Sequence, residues 1–193
     1  MSSSSSSPNP AAHEVSQKSS FSLLRSPLGI LFILLFLFGV HLWVRGLVSN
    51  PPTYSKNLAG RKTTNLATLN YLGTGPSKEM RRGKLLVVDF WATWCRPCVN
   101  VIPHMNSTAE KYAESIIVVG ASSEAEKTIR DFNKQPIEYY RAINSSALVH
   151  EFSIDSIPHI VIFNDSDVVV WDGHPSALTD TALDSLIAEH LAN

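Results

Sequence analysis

The amino-acid sequence predicts an α/β domain, a central mixed β-sheet with helices on both faces, preceded by one transmembrane helix. Between residues 66 and 193, short apolar runs rich in β-branched residues alternate with segments of helical apolar spacing. Near the N-terminus, a long apolar run carries no charged residue. The chain's two cysteines, Cys95 and Cys98, stand where a predicted strand meets a predicted helix.

The N-terminal segment 1–27 is rich in serine and proline and includes six consecutive serines. Such a composition buries too little apolar surface to offset the conformational entropy lost on folding, so we predict a disordered tail. A transit peptide is the alternative, although Lys18 and Arg25 are few basic residues for one.

Residues 28–48 are predicted to form a transmembrane anchor. The run from Leu28 to Val44 has no charge, and continued past Arg45 it reaches the length of about 20 residues that crosses a bilayer. Trp43 and Arg45 suit a membrane–water interface. A cleaved signal peptide is the alternative, but the run is long for one and no small-residue cleavage site follows it.

Asn50-Pro51-Pro52 ends this helix and begins a linker over residues 49–65, before a folded domain over 66–193. Periodicity and turn residues predict the non-helical elements of that domain. In order, they are strands over 66–72, 84–93 and 116–120, a short strand over 137–143, a helical turn over 147–152, and a hairpin formed by 156–163 and 168–171.

Three longer helices complete the predicted domain. The first follows the cysteines, with Val99 and Ile102 on its apolar face. The second is opened by Ser123 and Glu126, which have the spacing of a capping box. The last is N-capped by Thr179. The order βαβα, then a hairpin and a helix, gives a mixed sheet covered on both faces.

The formal net charge of −1 hides an asymmetry along the chain. Residues 1–82 carry nine Lys or Arg and two Asp or Glu, whereas residues 83–193 carry seven and fifteen. An acidic domain argues against nucleic acid as a partner, because phosphate binding requires clustered basic residues. The basic N-terminal part suits the anionic headgroups of a lipid bilayer.

The Cys-x-x-Cys motif predicts thiol–disulfide chemistry. Cys95 lies near a helix N-terminus, where free N–H groups and the helix dipole favour the thiolate, the nucleophilic form of cysteine. Cys98, one turn into the helix, faces inward and can attack a mixed disulfide formed on Cys95. Zinc is the alternative, but no histidine has a paired ligand spacing, and covalent haem needs His at Val99. A peptide-binding module whose cysteines have no redox role is a further alternative.

Three neighbours of the cysteines have predicted roles. Asp89 stands in an otherwise apolar strand, so burial would raise its pKa and suit it to accept the Cys98 proton. The alternative is a surface carboxylate at the strand end. Pro97 sets φ at the helix start, and Arg96 adds positive charge that stabilises the Cys95 thiolate.

The segment from Val88 to Cys98 resembles the active-site segment of the thioredoxin superfamily almost residue for residue. Pro103 matches the proline within that family's active-site helix, and Ile157-Pro158 resembles its cis-proline step beside the cysteines. Gly173 matches a glycine that lines the substrate groove. The resemblance covers about residues 83–192 and implies a thioredoxin-like fold.

The resemblance also implies a substrate groove. Its expected walls are Trp94, which would cover the cysteines, together with Arg96, Pro97, Ile157, Pro158 and Gly173. His159 and His174 would flank it as structural or exposed residues rather than catalytic ones. The chain departs from the family at Val101, where a glutamate is frequent, and at Gly120-Ala121, where thioredoxin has a lysine.

The anchor and the N-terminal extension look like the TlpA-like branch, whose members are membrane-tethered reductases. The expected function is a membrane-anchored thiol–disulfide oxidoreductase that reduces protein disulfides, with an oxidase, an isomerase or a peptide-binding tether as alternatives. The expected partners are protein disulfides, an upstream thiol donor and the bilayer through residues 28–48, with no nucleic acid. No metal and no cofactor besides the redox-active Cys95–Cys98 disulfide is expected.

Two arguments about the side of the membrane conflict. Basic residues are fewer before the anchor than after it, where Arg45, Lys56, Arg61 and Lys62 follow, and this count places the domain in the cytosol. The TlpA-like resemblance implies the non-cytosolic side instead, and we expect that location. The serine-rich N-terminus leaves a eukaryotic organelle membrane open as the alternative.

Overall fold

The computed structural model describes residues 27–49 and 55–191 in two units, divided after Pro51. The first unit contains helix α1, Pro27–Ser49, along which apolar side chains such as Phe32 and Phe36 are exposed. In the described part of the chain, no helix combines the length and the apolarity that a membrane span needs. The transmembrane helix over 28–48 therefore stays a prediction, and the predicted tail lies, apart from Pro27, outside the described residues.

The second unit is built on a six-stranded mixed sheet. The strands are β1 Asn70–Tyr71, β2 Leu85–Phe90, β3 Ile116–Ala121, β4 Tyr140–Ile143, β5 His159–Phe163 and β6 Val169–Gly173. Their order across the sheet is β1-β4-β3-β2-β5-β6. The central strand β2 runs parallel to β3 and antiparallel to β5. Strand β4 is parallel to β3, while the edge strands β1 and β6 are antiparallel to their neighbours. The mixed sheet is as predicted.

Five helices and two 3₁₀ turns accompany these strands in residues 55–191. The helices are α2 Lys78–Arg81, α3 Arg96–Lys111, α4 Glu126–Arg130, α5 Ser146–Glu151 and α6 Asp180–Leu191, and the 3₁₀ turns are Asn65–Thr68 and Pro175–Ala177. The Thr179 hydroxyl accepts a hydrogen bond from the Ala182 N–H, which confirms the predicted N-cap of α6. Pro103 lies inside α3.

The core has two parts, one on each face of the sheet. Leu85 and Val87 of β2 pack in the cluster that holds both cysteines and Ile102 of α3. Leu86, Val88 and Phe90 pack in the other cluster, with Leu148 of α5 and Phe152. Burial on both faces explains why β2 is a continuous apolar run rather than an alternating pattern. The same alternation puts Asp89 on the face of the cysteines.

The predicted linker over 49–65 is too long, because its second half packs on the domain. Leu58 is buried, and the N–H of Gly60 donates to the carbonyl of Val169 at 2.8 Å. Lys62 forms a β-bridge with Val168. This segment covers part of the otherwise open edge of β6, where unpaired backbone groups accept an added strand.

The capping box predicted at Ser123 and Glu126 is wrong. Helix α4 begins at Glu126 after Ala125, which makes no side-chain cap. The Ser123 hydroxyl instead lies 3.0 Å from that of Ser145, on the next loop. The predicted strand over 66–72 is likewise reduced to β1, because a 3₁₀ turn occupies its first half. At Ser123 and in the segment 66–72, the local sequence pattern therefore does not decide the structure that forms.

Candidate active site

The two cysteines form a disulfide at the start of α3, with their Cα atoms 5.3 Å apart. Cys95 is the N-cap residue, and its Sγ accepts a hydrogen bond from the N–H of Cys98 at 3.3 Å. Cys95 is 5% exposed and Cys98 is 1% exposed. A sulfur that caps a helix N-terminus is held where a thiolate is stabilised, and Cys95 is the more exposed of the two cysteines.

The loop that carries Cys95 out of β2 is held by Glu124. The carboxylate of Glu124 accepts the N–H of Thr93 at 2.7 Å and the Thr93 hydroxyl at 2.8 Å. The N–H of Cys95 closes a turn onto the carbonyl of Ala92 at 3.1 Å. Sequence reasoning missed this role of Glu124. The residue lies between Ser123 and Glu126, which were predicted to form a capping box, and no other local pattern points to it. Its charged hydrogen bonds make this loop rigid.

Trp94, which the resemblance places over the cysteines, is 73% exposed. It lines a cavity of about 320 Å³, together with Glu124, Val149 and Ile157. Trp91, in contrast, is buried in the core. An exposed aromatic ring next to a partly apolar cavity provides a surface on which a peptide side chain can pack.

The Ile157–Pro158 peptide bond is cis, in agreement with the expectation from the resemblance. The carbonyl oxygen of Ile157 lies 3.8 Å from Cys95 Sγ, and the Pro158 side chain is buried. Tertiary structure thus brings residues 62 positions apart to one site. Arg96 and Pro97 are exposed in the first turn of α3, on the same rim of the site.

Gly173 and His174 do not line the cavity that Trp94 and Ile157 line. Gly173 pairs with Ile160 at the end of β6 and lines a different cavity. His174 caps the 3₁₀ turn that follows, because its Nδ1 accepts the N–H of Ser176 at 3.2 Å. His174 therefore stabilises the start of this 3₁₀ turn.

Asp89 is buried at 2% exposure, as the sequence predicts. Burial raises the pKa of Asp89 to about 7, an effect that the nearby Tyr139 hydroxyl opposes. The carboxyl atom Asp89 Oδ1 has no hydrogen-bond partner among the described residues. A buried carboxyl group that titrates near neutral pH can give or take a proton during catalysis at that pH.

His159, next to Pro158, forms a buried pair with Asp172 on β6. His159 Nε2 lies 3.5 Å from Asp172 Oδ2, and burial lowers the pKa of His159 despite this carboxylate. Asp172 also accepts the N–H of Lys56 at 2.5 Å and that of Leu58 at 2.9 Å. The pair thus ties the segment before the domain to the strand that follows the cis-proline, a role that sequence reasoning missed.

The site therefore combines a sulfur that caps a helix N-terminus, a second and more deeply buried sulfur one turn further along the helix, and a buried titratable carboxyl group on the same face of the sheet. Such an arrangement can exchange disulfides, since one thiolate attacks, the second resolves, and a nearby group handles the proton.

Comparisons with known proteins match this geometry. A family model described as Thioredoxin-like matches residues 83–169. The thioredoxin of Porphyra purpurea is 30% identical over 107 residues, which cover 55% of this chain and 80% of that protein. The thiol-disulfide oxidoreductase ResA of Bacillus cereus is 26% identical over 115 residues, which cover 58% of this chain and 66% of ResA.

A solved structure shows the same fold. The crystal structure of the exposed lipoprotein thioredoxin of Streptococcus pneumoniae superposes with a TM-score of 0.52 at 19% sequence identity. The match covers 63% of this chain and 98% of that one.

Proposed function

Because this chain belongs to the thioredoxin superfamily, we propose that it is a membrane-anchored thiol–disulfide oxidoreductase of the TlpA-like branch that reduces protein disulfides. The observation that carries the proposal is the Cys95–Cys98 disulfide at the N-terminus of α3, with the N–H of Cys98 directed at Cys95 Sγ. Two relatives similar to this chain are named thioredoxin and thiol-disulfide oxidoreductase.

In the first step, the Cys95 thiolate attacks one sulfur of a substrate disulfide. The substrate S–S bond breaks, a mixed disulfide forms on Cys95, and the departing substrate thiolate takes up a proton. The N–H of Cys98 and the dipole of α3 stabilise the Cys95 thiolate before the attack. The exposed Trp94 and the neighbouring cavity supply a surface for the substrate chain.

In the second step, the Cys98 thiol loses its proton and its sulfur attacks Cys95 Sγ. The mixed disulfide breaks, the Cys95–Cys98 disulfide forms, and the substrate leaves with both of its cysteines reduced. Asp89 accepts the Cys98 proton in this proposal, because its buried carboxyl group titrates near pH 7 and lies on the face of the sheet that packs against Cys98.

Two features support the reducing direction. The carbonyl oxygen of Ile157, 3.8 Å from Cys95 Sγ, is the negative end of a peptide dipole and opposes negative charge on that sulfur. A less stabilised thiolate makes the dithiol the better reductant. Arg96 is exposed, so solvent screens the positive charge that would oppose this effect.

Membrane attachment through residues 28–48 is part of the proposal. The exposed apolar side chains of α1, among them Phe32 and Phe36 at 71% each, need an apolar environment such as a bilayer. We place the domain on the non-cytosolic side, where a tethered reductase acts on disulfides that the compartment forms. A C-terminal reporter that is active in the cytosol alone would contradict this location.

The experiment that tests the function is trapping with Cys98→Ser. Reduced Cys98→Ser, as the full chain in detergent, is mixed with a disulfide-containing protein such as insulin and run on a non-reducing gel. We expect a covalent adduct that dithiothreitol releases, and none with the matched control Cys95→Ser. If neither variant forms an adduct and the wild-type protein does not reduce insulin, the domain only binds peptides and the proposal is wrong.

The oxidising direction is the second candidate. The hydrogen bond from the Cys98 N–H stabilises the Cys95 thiolate and hence the reduced form, which would make the disulfide an oxidant. The reduction potential separates the two directions. A potential near about −270 mV supports the reductase, and one near about −120 mV supports the oxidase.

A further inference from the structure

Three buried polar side chains around the active-site strand have atoms without a hydrogen-bond partner. Among the described residues, no partner reaches Asp89 Oδ1, Trp91 Nε1 or the Tyr139 hydroxyl. Their residues are 2%, 3% and 8% exposed. Buried polar atoms are paired in nearly all folded proteins, because an unpaired one costs about 1–3 kcal/mol. A carboxylate accepts hydrogen bonds, an indole donates, and a hydroxyl does both, so the three are chemically complementary.

Gly120 explains how Tyr139 reaches this position. Gly120 is the register partner of Asp89 across the parallel pair β2–β3. A Cβ built on Gly120 would lie 2.9 Å from Cε2 of Tyr139 and 3.1 Å from Nε1 of Trp91. The space that a side chain at 120 would fill is therefore occupied by Tyr139 and Trp91. The missing side chain of Gly120 is what admits the tyrosine beside Asp89.

We propose that the Tyr139 hydroxyl, which lies near Asp89 without a hydrogen bond of its own among the described residues, closes onto the Asp89 carboxyl group as its hydrogen-bond partner and is a positioning residue for proton transfer in this enzyme. The proposal rests on the proposed function, in which Asp89 accepts the Cys98 proton. A hydroxyl donates to the ionised carboxylate and accepts from the protonated carboxylic acid. Tyr139 can therefore hydrogen-bond to Asp89 in both of its protonation states. Asp89 needs such a partner because it gains and loses a proton in each catalytic cycle.

The electrostatic environment of Asp89 agrees with this role. Burial is the main cause that raises the pKa of Asp89, and Tyr139 is the group that lowers it. Burial beside Asp89 also raises the pKa of Tyr139 itself, so the hydroxyl keeps its proton. No charged side chain of the described residues takes part in the shift of Asp89. The group that lowers the pKa of Asp89 is therefore an uncharged donor, the Tyr139 hydroxyl.

The test is a pH titration of Asp89 in the oxidised full chain in detergent micelles. Carboxyl ¹³C NMR follows the titration, and the Asp89 resonance is identified by its loss in Asp89→Asn. We expect a midpoint near pH 7 in the wild-type protein. Tyr139→Phe keeps the ring and removes the hydroxyl, so the midpoint rises by about one pH unit. Tyr140→Phe, whose ring packs against the cluster on the opposite face, leaves it unchanged.

Gly120→Ala is the second test variant, and it leaves Asp89 and Tyr139 themselves unmutated. Its added methyl group displaces the Tyr139 ring edge, so the Asp89 midpoint rises as it does in Tyr139→Phe. A midpoint that stays at the wild-type value in a folded variant of either kind overturns the inference.

The titration uses oxidised protein and does not depend on turnover. An unchanged midpoint together with successful trapping by Cys98→Ser would reject the role of Tyr139 and leave the reductase standing. A shifted midpoint without any trapped adduct would keep the Asp89–Tyr139 pair and reject the proposed function. In the functional enzyme, Tyr139→Phe also moves the pH profile of insulin reduction upward by the same amount as the Asp89 midpoint.

Discussion

Glu124 and Thr93 are joined by two hydrogen bonds across 31 positions of the chain. One carboxylate oxygen accepts the Thr93 N–H at 2.7 Å, and the other accepts the Thr93 hydroxyl at 2.8 Å. Thr93 lies two residues before Cys95, in the loop that leads from β2 to α3. The position of the nucleophile therefore depends on a carboxylate from the loop after β3.

Glu124→Ala should destabilise the protein by about 1–3 kcal/mol, because it leaves the half-buried Thr93 N–H without its acceptor. Glu124→Gln keeps an amide oxygen for that N–H and should retain most of the stability. Urea denaturation measures both. The control is Glu126→Ala, which removes an exposed ion pair with Arg130 and should cost less than about 0.5 kcal/mol. Equal losses in the two alanine variants would mean that the loop is held by other contacts.

Asp89→Asn should stabilise the oxidised protein at pH 8 and have little effect near pH 4. The pKa of Asp89 rises from 3.8 to about 7 on folding, so folding above pH 7 requires an unfavourable buried charge. That charge costs up to about 4 kcal/mol, and the cost disappears as pH falls through this range because the folded state takes up the proton. Urea midpoints at the two pH values measure the change. A gain of the same size at both pH values would show that folding does not raise the pKa of Asp89.

His159 should make the protein less stable in acid. Burial lowers its pKa below the unfolded value of 6.5, although Asp172 opposes the shift. Below pH 6.5, His159 is therefore protonated in the unfolded chain but not in the folded one, and the free energy of unfolding falls as the pH falls. Asp89 titrates in the opposite sense over an overlapping range, so the comparison needs a variant.

Relative to His159→Gln, the wild-type protein should lose up to about 1.4 kcal/mol of stability per pH unit between pH 6.5 and the folded pKa. Thermal or urea denaturation at pH 7, 6 and 5 gives this difference. The matched control is His174→Gln, since His174 is partly exposed and caps only a 3₁₀ turn. A constant difference between wild type and His159→Gln would show that folding does not lower the pKa of His159.

Leu58→Ala should cost about 2–5 kcal/mol of unfolding free energy, because Leu58 is 3% exposed and its removal leaves a cavity in the core. The segment would behave as part of the domain and not as a linker. Lys62→Ala, an exposed neighbour in the same segment, serves as the control and should change stability by less than about 0.5 kcal/mol. An unchanged urea midpoint in Leu58→Ala would mean that residues 55–63 detach from the domain.

The residues that sequence reasoning found for the site lie in local patterns. Cys95, Cys98 and Asp89 belong to one strand-to-helix segment, and the structure places all three around the same core cluster. Glu124, Tyr139 and Asp172 were missed because each acts on a residue far away in the chain. Their own neighbourhoods carry no motif, so only the folded structure reveals their partners.

By itself, the sequence determined the mixed sheet, the order of its central elements and the redox chemistry of the cysteines. Strand length, helical spacing and a helix N-cap act within a few residues and can be recognised locally. The tertiary structure alone decided that residues 55–63 cover the edge of β6 and that Glu124 holds the Cys95 loop. It also decided that Tyr139 and Trp91 fill the space left by the missing side chain of Gly120. These contacts join distant parts of the chain, and they depend on packing that exists after the sheet has formed.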